Sequence, residues 1–148
     1  MHILVATDAD FVLDEITAAL SGPDTSFSVC RNGRHVVPAI KQRVPDLAIL
    51  DLQIGSMGAM AVTMAMRLDE SSGALPYVPV LMLLDRRADL HLAKRSAADG
   101  WIVKPLDALT IQRSVEAILH PVVPVGEEEV GVLPAEGSPT EEEAVPAG

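Results

Sequence analysis

With a single cysteine, Cys30, no disulfide can form within the chain, and a buried, inert thiol is expected there. Aromatic side chains are nearly as scarce: two Phe, one Tyr and one Trp, too few to build stacking platforms for nucleic-acid bases. No apolar run approaches the roughly 20 residues that a membrane-spanning helix needs, so no such helix is expected. Met1 to Val5 enter an apolar run without a basic leader or cleavage site, as expected of a cytoplasmic protein. Basic residues are missing altogether after residue 120, where seven glutamates account for −7 of the formal net charge of −10. Residues 1–120, with 14 acidic and 11 basic side chains, carry only −3. A near-neutral body with an acidic end lacks the positive footprint of a nucleic-acid binder, and direct nucleic-acid contact is not expected.

What is present is a regular alternation of short apolar runs and amphipathic stretches. Ile3-Leu4-Val5-Ala6 ends in Thr7-Asp8-Ala9-Asp10, the pattern of a buried strand opening into a loop. In Phe11–Leu20, Val12, Leu13, Ile16, Ala19 and Leu20 recur at helical spacing, Asp10 is placed to cap, and Ser21-Gly22-Pro23 ends the helix. Next come a strand over Phe27–Cys30, a helix over Gly33–Arg43, the breaker Pro45-Asp46, and a strand over Leu47–Leu50 that delivers Asp51. Beyond Gly55–Gly58 lies a Met- and Ala-rich helix to about Glu70, then a strand over Val80–Leu84 and a charged helix over Asp85–Ala98. Trp101–Val103 reads as a fifth strand and Leu106–Leu119 as a closing helix. Five βα units predict an α/β fold: a doubly wound, five-stranded parallel sheet with helices on both faces and right-handed crossovers. One domain, residues 1–120, suits the 148-residue length. In residues 121–148, Pro, Gly and Glu leave no periodic apolar face, so this acidic tail is expected to be disordered.

Ligands of open parallel sheets bind beyond the carboxyl ends of the strands, near the reversal of strand order. The ionisable groups falling there are Asp8 and Asp10 after strand one, Asp51 after strand three and Lys104 after strand five. Clustered carboxylates attract a hard cation such as Mg2+, and a nearby lysine offers a point charge to a phosphoryl oxygen. The histidines His2, His35, His91 and His120 lack metal-ligand spacing and read as surface or capping residues. Met57, Met60, Met64 and Met66 read as fillers of core and surface gaps. No Gly-x-Gly-x-x-Gly or Gly-x-x-x-x-Gly-Lys loop follows strand one, against a nucleotide- or flavin-binding protein of this architecture.

Four stretches, in order and on the matching elements, carry a family resemblance. They are Ile3-Leu4-Val5 with Asp8, Pro45–Leu52 around Asp51, Val78–Leu83, and Ala98-Asp99-Gly100-Trp101-Ile102-Val103-Lys104-Pro105. Over about the first 120 residues the sequence resembles the response regulator receiver domains of two-component (phosphorelay) signal transduction. The resemblance implies a flavodoxin-like, CheY-like fold with strand order 2-1-3-4-5. It implies that Asp51 is the phospho-acceptor, that Lys104 pairs with the phosphoryl oxygens, and that Mg2+ is held by Asp8, Asp51 and the backbone carbonyl of Gln53. Asp10 is a further candidate ligand from the loop. It also implies a cis bond at Lys104-Pro105, and switch positions at Leu84 and Trp101.

Departures from the family pattern gather at the site. Thr7 replaces the first of two acidic residues, a loss expected to weaken Mg2+ binding. Leu84 replaces a Thr or Ser and has no hydroxyl to report phosphorylation. Asp85 follows where a small residue is usual, adding a negative charge. Ile54-Gly55 and Gly58-Ala59 replace the common residues of the loop after Asp51, which is expected to be looser.

The function expected is that of a stand-alone receiver, not an enzyme beyond self-phosphorylation and dephosphorylation at Asp51. It would receive phosphate from a sensor histidine kinase or a histidine phosphotransfer protein, and no effector domain is expected in the 28 residues after His120. Output would go through a protein partner or a homodimer formed by the helix four, strand five, helix five face, where Arg86, Arg87, Lys94 and Arg95 read equally as a solvated surface. Two alternatives remain open: a pseudo-receiver that binds a partner constitutively, and a shuttle that passes phosphate to a histidine phosphotransfer protein.

Overall fold

Alternate residues of a strand face opposite sides of its sheet, so a strand covered on both faces must be apolar throughout. The computed structural model, which describes residues 1–121, follows that rule. Strands β1 (His2–Ala6), β3 (Leu47–Asp51) and β4 (Val80–Leu84) are buried along their whole length, whereas β2 (Ser26–Cys30) and β5 (Gly100–Val103) form the edges. All neighbours pair in parallel in the order β2-β1-β3-β4-β5. The doubly wound α/β architecture with strand order 2-1-3-4-5 is therefore the fold of this chain.

The alternation creates two cores. On one face, Ile3, Val5, Ile49, Leu81, Leu83 and Ile102 pack beneath helices α1 (Asp10–Leu20) and α5 (Ala108–Leu119). On the other, Leu4, Ala6, Leu50, Val80, Met82 and Leu84 lie beneath α2 (Val36–Gln42), α3 (Ala59–Ser72) and α4 (Leu90–Arg95). Each of the fully buried aliphatic side chains stabilises the fold by roughly 1.5–3 kcal/mol relative to exposure. Helix α3 stops at Gly73, whose φ of 85° is the left-handed cap conformation that glycine adopts without strain.

Several elements differ from the sequence expectation. Asp10 does not cap α1: it is the first helical residue, Ala9 occupies the cap position without a side-chain bond, and the Ala9 N–H instead donates to Thr7 Oγ1 at 3.1 Å. The second helix is shorter than Gly33–Arg43, because Gly33–His35 forms a separate 3-10 turn. Pro38 falls in the first turn of α2, where its missing N–H costs nothing. The fourth helix is likewise cut down from Asp85–Ala98: Arg87–Asp89 is a 3-10 turn, and the helix ends at Arg95 before Ala97 with φ 65°. Asp107, not Leu106, sets the start of α5, its carboxylate accepting from Thr110 N at 2.9 Å. The Lys104-Pro105 bond is cis. His2 is buried, its ring nitrogens 2.8 and 2.7 Å from the Ser26 and Ser28 hydroxyls, in place of the surface position expected. The acidic tail lies outside the described residues.

Candidate functional site

Because β1 and β3 are neighbours while their helices pack on opposite faces, their carboxyl ends open a crevice at the reversal of strand order. Ala6 is paired with Leu50, so the next residue of each strand, Thr7 and Asp51, meet there. Asp51 is 3% exposed, and a carboxylate so placed requires partners. The Thr7 hydroxyl, itself fully buried, donates to Asp51 Oδ2 at 2.8 Å, and Lys104 Nζ donates to Oδ1 at 2.8 Å. Lys104 arrives across β4: its N–H donates to Leu84 O at 2.8 Å while Leu52 N donates to Leu83 O at 2.9 Å, extending the sheet past both residues. The lysine ammonium also donates to Asp85 Oδ1 at 3.0 Å. Burial pulls the Lys104 amine down, but hydrogen bonds to Asp51 and Asp85, and their charges, outweigh it and raise its pKa above the ordinary lysine value.

Asp8 follows Thr7 at the rim, exposed, with Oδ2 accepting from Gly55 N at 3.3 Å. Gln53 is exposed, and among the described residues no hydrogen bond reaches its carbonyl. Asp10 is not brought into the cluster: α1 carries it outward, where it forms an exposed ion pair with Arg31. Among the described residues no group of three or more His, Cys, Asp or Glu side chains is placed to hold a metal ion by itself. Two carboxylates, Asp8 and Asp51, with the Gln53 carbonyl make an all-oxygen donor set, which fits Mg2+, an ion that keeps several waters and takes one or two carboxylates.

The loop after Asp51 makes several hydrogen bonds. Ile54 N donates to Asp51 O at 3.1 Å, Gly33 N to Gly55 O at 3.0 Å, and Asn32 Nδ2 to Ser56 Oγ at 2.9 Å. Gly33 is required by close approach, since a Cβ there would stand 1.7 Å from Met57 O. Two of these bonds come from the β2–α2 connection, so this loop is anchored to its neighbour at Gly55 and Ser56.

The crevice thus holds a buried carboxylate facing an ammonium, with a second carboxylate at the rim. Residues 3–116 match the family model of the response regulator receiver domain. The chain belongs to that family. Protein PilH of Pseudomonas aeruginosa is 24% identical over 118 residues, covering 80% of this chain and 97% of that protein. The DNA-binding response regulator MtrA of Mycobacterium tuberculosis is 29% identical over 121 residues, 80% of this chain but 50% of MtrA. The chemotaxis response regulator CheY4 of Vibrio cholerae shares the fold, with a TM-score of 0.70 at 20% identity over 80% of this chain and 98% of that one. The chain therefore spans nearly all of PilH and about half of MtrA.

The two residues expected at switch positions, Leu84 and Trp101, both lie in the core of this receiver domain. Leu84 is fully buried and offers no donor, and Trp101, 7% exposed, sits in the same apolar cluster with the Lys94 ammonium 5.7 Å from its ring centre. A cleft lined by Arg87, Leu90, Trp101, Val103, Pro105 and Thr110 marks the face between α4, β5 and α5. Two contacts were not read from the sequence, Thr7 to Asp51 and Asp85 to Lys104. Thr7 and Asp85 stand out there as a lost and an added charge, but a hydroxyl's capacity to donate and a carboxylate's reach to Lys104 become visible only when the strand ends are juxtaposed. Among the described residues no helix is long and apolar enough to cross a membrane.

Proposed function

We propose that this receiver accepts a phosphoryl group on Asp51 and signals by changing its protein contacts. The observation that carries the reading is the buried Asp51 carboxylate held between the Thr7 hydroxyl and the Lys104 ammonium. In the transfer, an Asp51 oxygen attacks phosphorus as the bond to the donor's imidazole nitrogen breaks, and the nitrogen keeps the electron pair. Lys104 meets the charge that gathers on the phosphoryl oxygens, and Thr7 orients the carboxylate through its bond to Oδ2. Asp8, Asp51 and the Gln53 carbonyl would hold Mg2+, which supplies charge neutralisation between carboxylate and phosphoryl group. The donor is a sensor histidine kinase or a histidine phosphotransfer protein, the setting is cytoplasmic, and the receiver itself is not an enzyme beyond its own phosphorylation and dephosphorylation. Output passes to a protein partner or a second copy through the face between α4, β5 and α5.

A second reading is favoured by a specific observation. Leu84 cannot hydrogen-bond a phosphoryl group and Trp101 is already buried, which suits a pseudo-receiver with a constitutive contact face. A shuttle role would show instead as onward transfer to a phosphotransfer protein. Incubation with acetyl phosphate and Mg2+, read by intact-mass spectrometry, separates the first two. A phosphoryl increment lost in Asp51→Asn supports the acceptor, and no increment at saturating Mg2+ in either the parent or Asp85→Asn refutes it.

A further inference from the structure

Lys104 is shared between two carboxylates. Its ammonium lies 2.8 Å from Asp51 Oδ1 and 3.0 Å from Asp85 Oδ1, which leaves one of its three N–H donors uncommitted. Its side chain is 20% exposed and that of Asp85 35%, so the bridge sits at the mouth of the crevice, between Asp51 and solvent. Among the described residues no arginine is hydrogen-bonded to Asp85: the neighbouring Arg86 acts on it only through its charge and is bonded to Asp89 at 3.0 Å, and Arg87 lines the cleft on the α4–β5 side. Asp8, with Asp51 and Asp85, brings three negative charges to a site where Lys104 is the one cation bonded to any of them among the described residues.

A phosphodonor adds an anion with three further oxygens to that site. The cation it must meet is already half neutralised by Asp85, and the Asp85 carboxylate repels it on approach. Resting on the reading of Asp51 as acceptor, we infer that Asp85 is a positioning residue that holds Lys104 in an internal ion pair and thereby slows phosphoryl acceptance at Asp51. A phosphoryl oxygen can take the remaining N–H, but the ammonium charge stays shared with Asp85 until that bridge opens. With acetyl phosphate, an Asp51 oxygen forms the new bond to phosphorus, the bond from phosphorus to the acetyl oxygen breaks, and acetate leaves with the electron pair.

The test compares initial phosphorylation rates of the full chain, Asp85→Asn, Asp85→Glu and Asp51→Asn, with acetyl phosphate and saturating Mg2+ at low and high salt. Asp85→Asn keeps the side chain's shape and removes its charge, and is expected to accept about tenfold faster at low salt, with most of the gain lost near ~0.5 M salt. Asp85→Glu restores the charge and should return to the parent rate. Labelling of Asp85→Asn alone, with the parent unlabelled, also supports the gate. Equal rates in parent and Asp85→Asn overturn it while leaving the acceptor reading intact, and equal acceleration by Asn and Glu overturns the role of charge. No label on any variant refutes the acceptor reading, and the inference falls with it.

Discussion

Thr7→Val isolates one contact with little change of shape, and its cost follows from the geometry. The Thr7 hydroxyl is fully buried and donates at 2.8 Å to a carboxylate that is 3% exposed, so solvent screening gives no reason to discount the bond. A hydrogen bond to a charged group contributes about 1.5–3 kcal/mol. The extra buried methyl returns about 0.8 kcal/mol. The Ala9 N–H, which loses Thr7 Oγ1 as acceptor, is only part-buried and can turn to water. The net expectation is a loss of about 1–2 kcal/mol, or a Tm lower by about 5 °C for a domain of this size. Urea unfolding followed through Trp101, the chain's single tryptophan, reads it directly. The decisive arm repeats the substitution in an Asp51→Ala background, where the acceptor is gone and the cost should fall below about 0.5 kcal/mol. An equal cost in both backgrounds, or no cost in either, refutes the assignment of the Thr7 hydroxyl to Asp51.

Three further outcomes follow from other parts of the fold. Gly33→Ala forces a Cβ against the Met57 carbonyl and should cost about 2–3 kcal/mol, with faster amide exchange at residue 33 and Met57, whose N–H groups both donate to Gly55 O; parent-like exchange would contradict the close approach. Arg67 binds Glu70 and Asp99 at 2.8 and 2.7 Å and the carbonyls of Val78 and Ala97, both at 3.0 Å, with its guanidinium stacked on Tyr77. Arg67→Met should therefore lose about 3 kcal/mol in denaturant unfolding, and Arg67→Lys should recover only part, since an ammonium cannot reproduce the fork. Burial lowers the pKa of His2 below its ordinary 6.5, assisted by the charge of Arg43 and opposed by Asp46. The folded state thus binds the proton less readily than the unfolded one: the stability is fully present above about pH 6.5 and is lost as pH falls through that value toward the folded pKa. Unfolding curves at pH 7.5 and 5.5 should show a larger acid loss in the parent than in His2→Gln; equal losses would exclude His2 as a source.

The positions of Leu4, Leu50 and Met82, and of Ile3, Ile49 and Leu81, show how far the sequence alone reaches. Unbroken apolar runs between amphipathic stretches require strands buried on both faces, and right-handed crossovers leave few orders for five of them. The positions of Asp51 and Lys104 are legible for the same reason, since each ends or directly follows such a run, and Asp8 lies one residue further on, after Thr7. Helix ends are less legible: Asp10 and the charged stretch after Asp85 satisfy helical patterns equally well one turn earlier or later, and local geometry decides among them. His2 was misplaced because a polar residue at a strand start carries no sign that Ser26 and Ser28 will lie beside it. Tertiary structure alone decides that Thr7 meets Asp51 and that Asp85 shares Lys104, because those contacts depend on lateral strand pairing between residues 44 and 19 positions apart. The sequence by itself determined the elements, their apolar faces and the charges at the strand ends. Only packing the sheet decided which of those charges are neutralised and by whom, because a hydrogen bond is set by distances of a few tenths of an ångström that no spacing along the chain encodes.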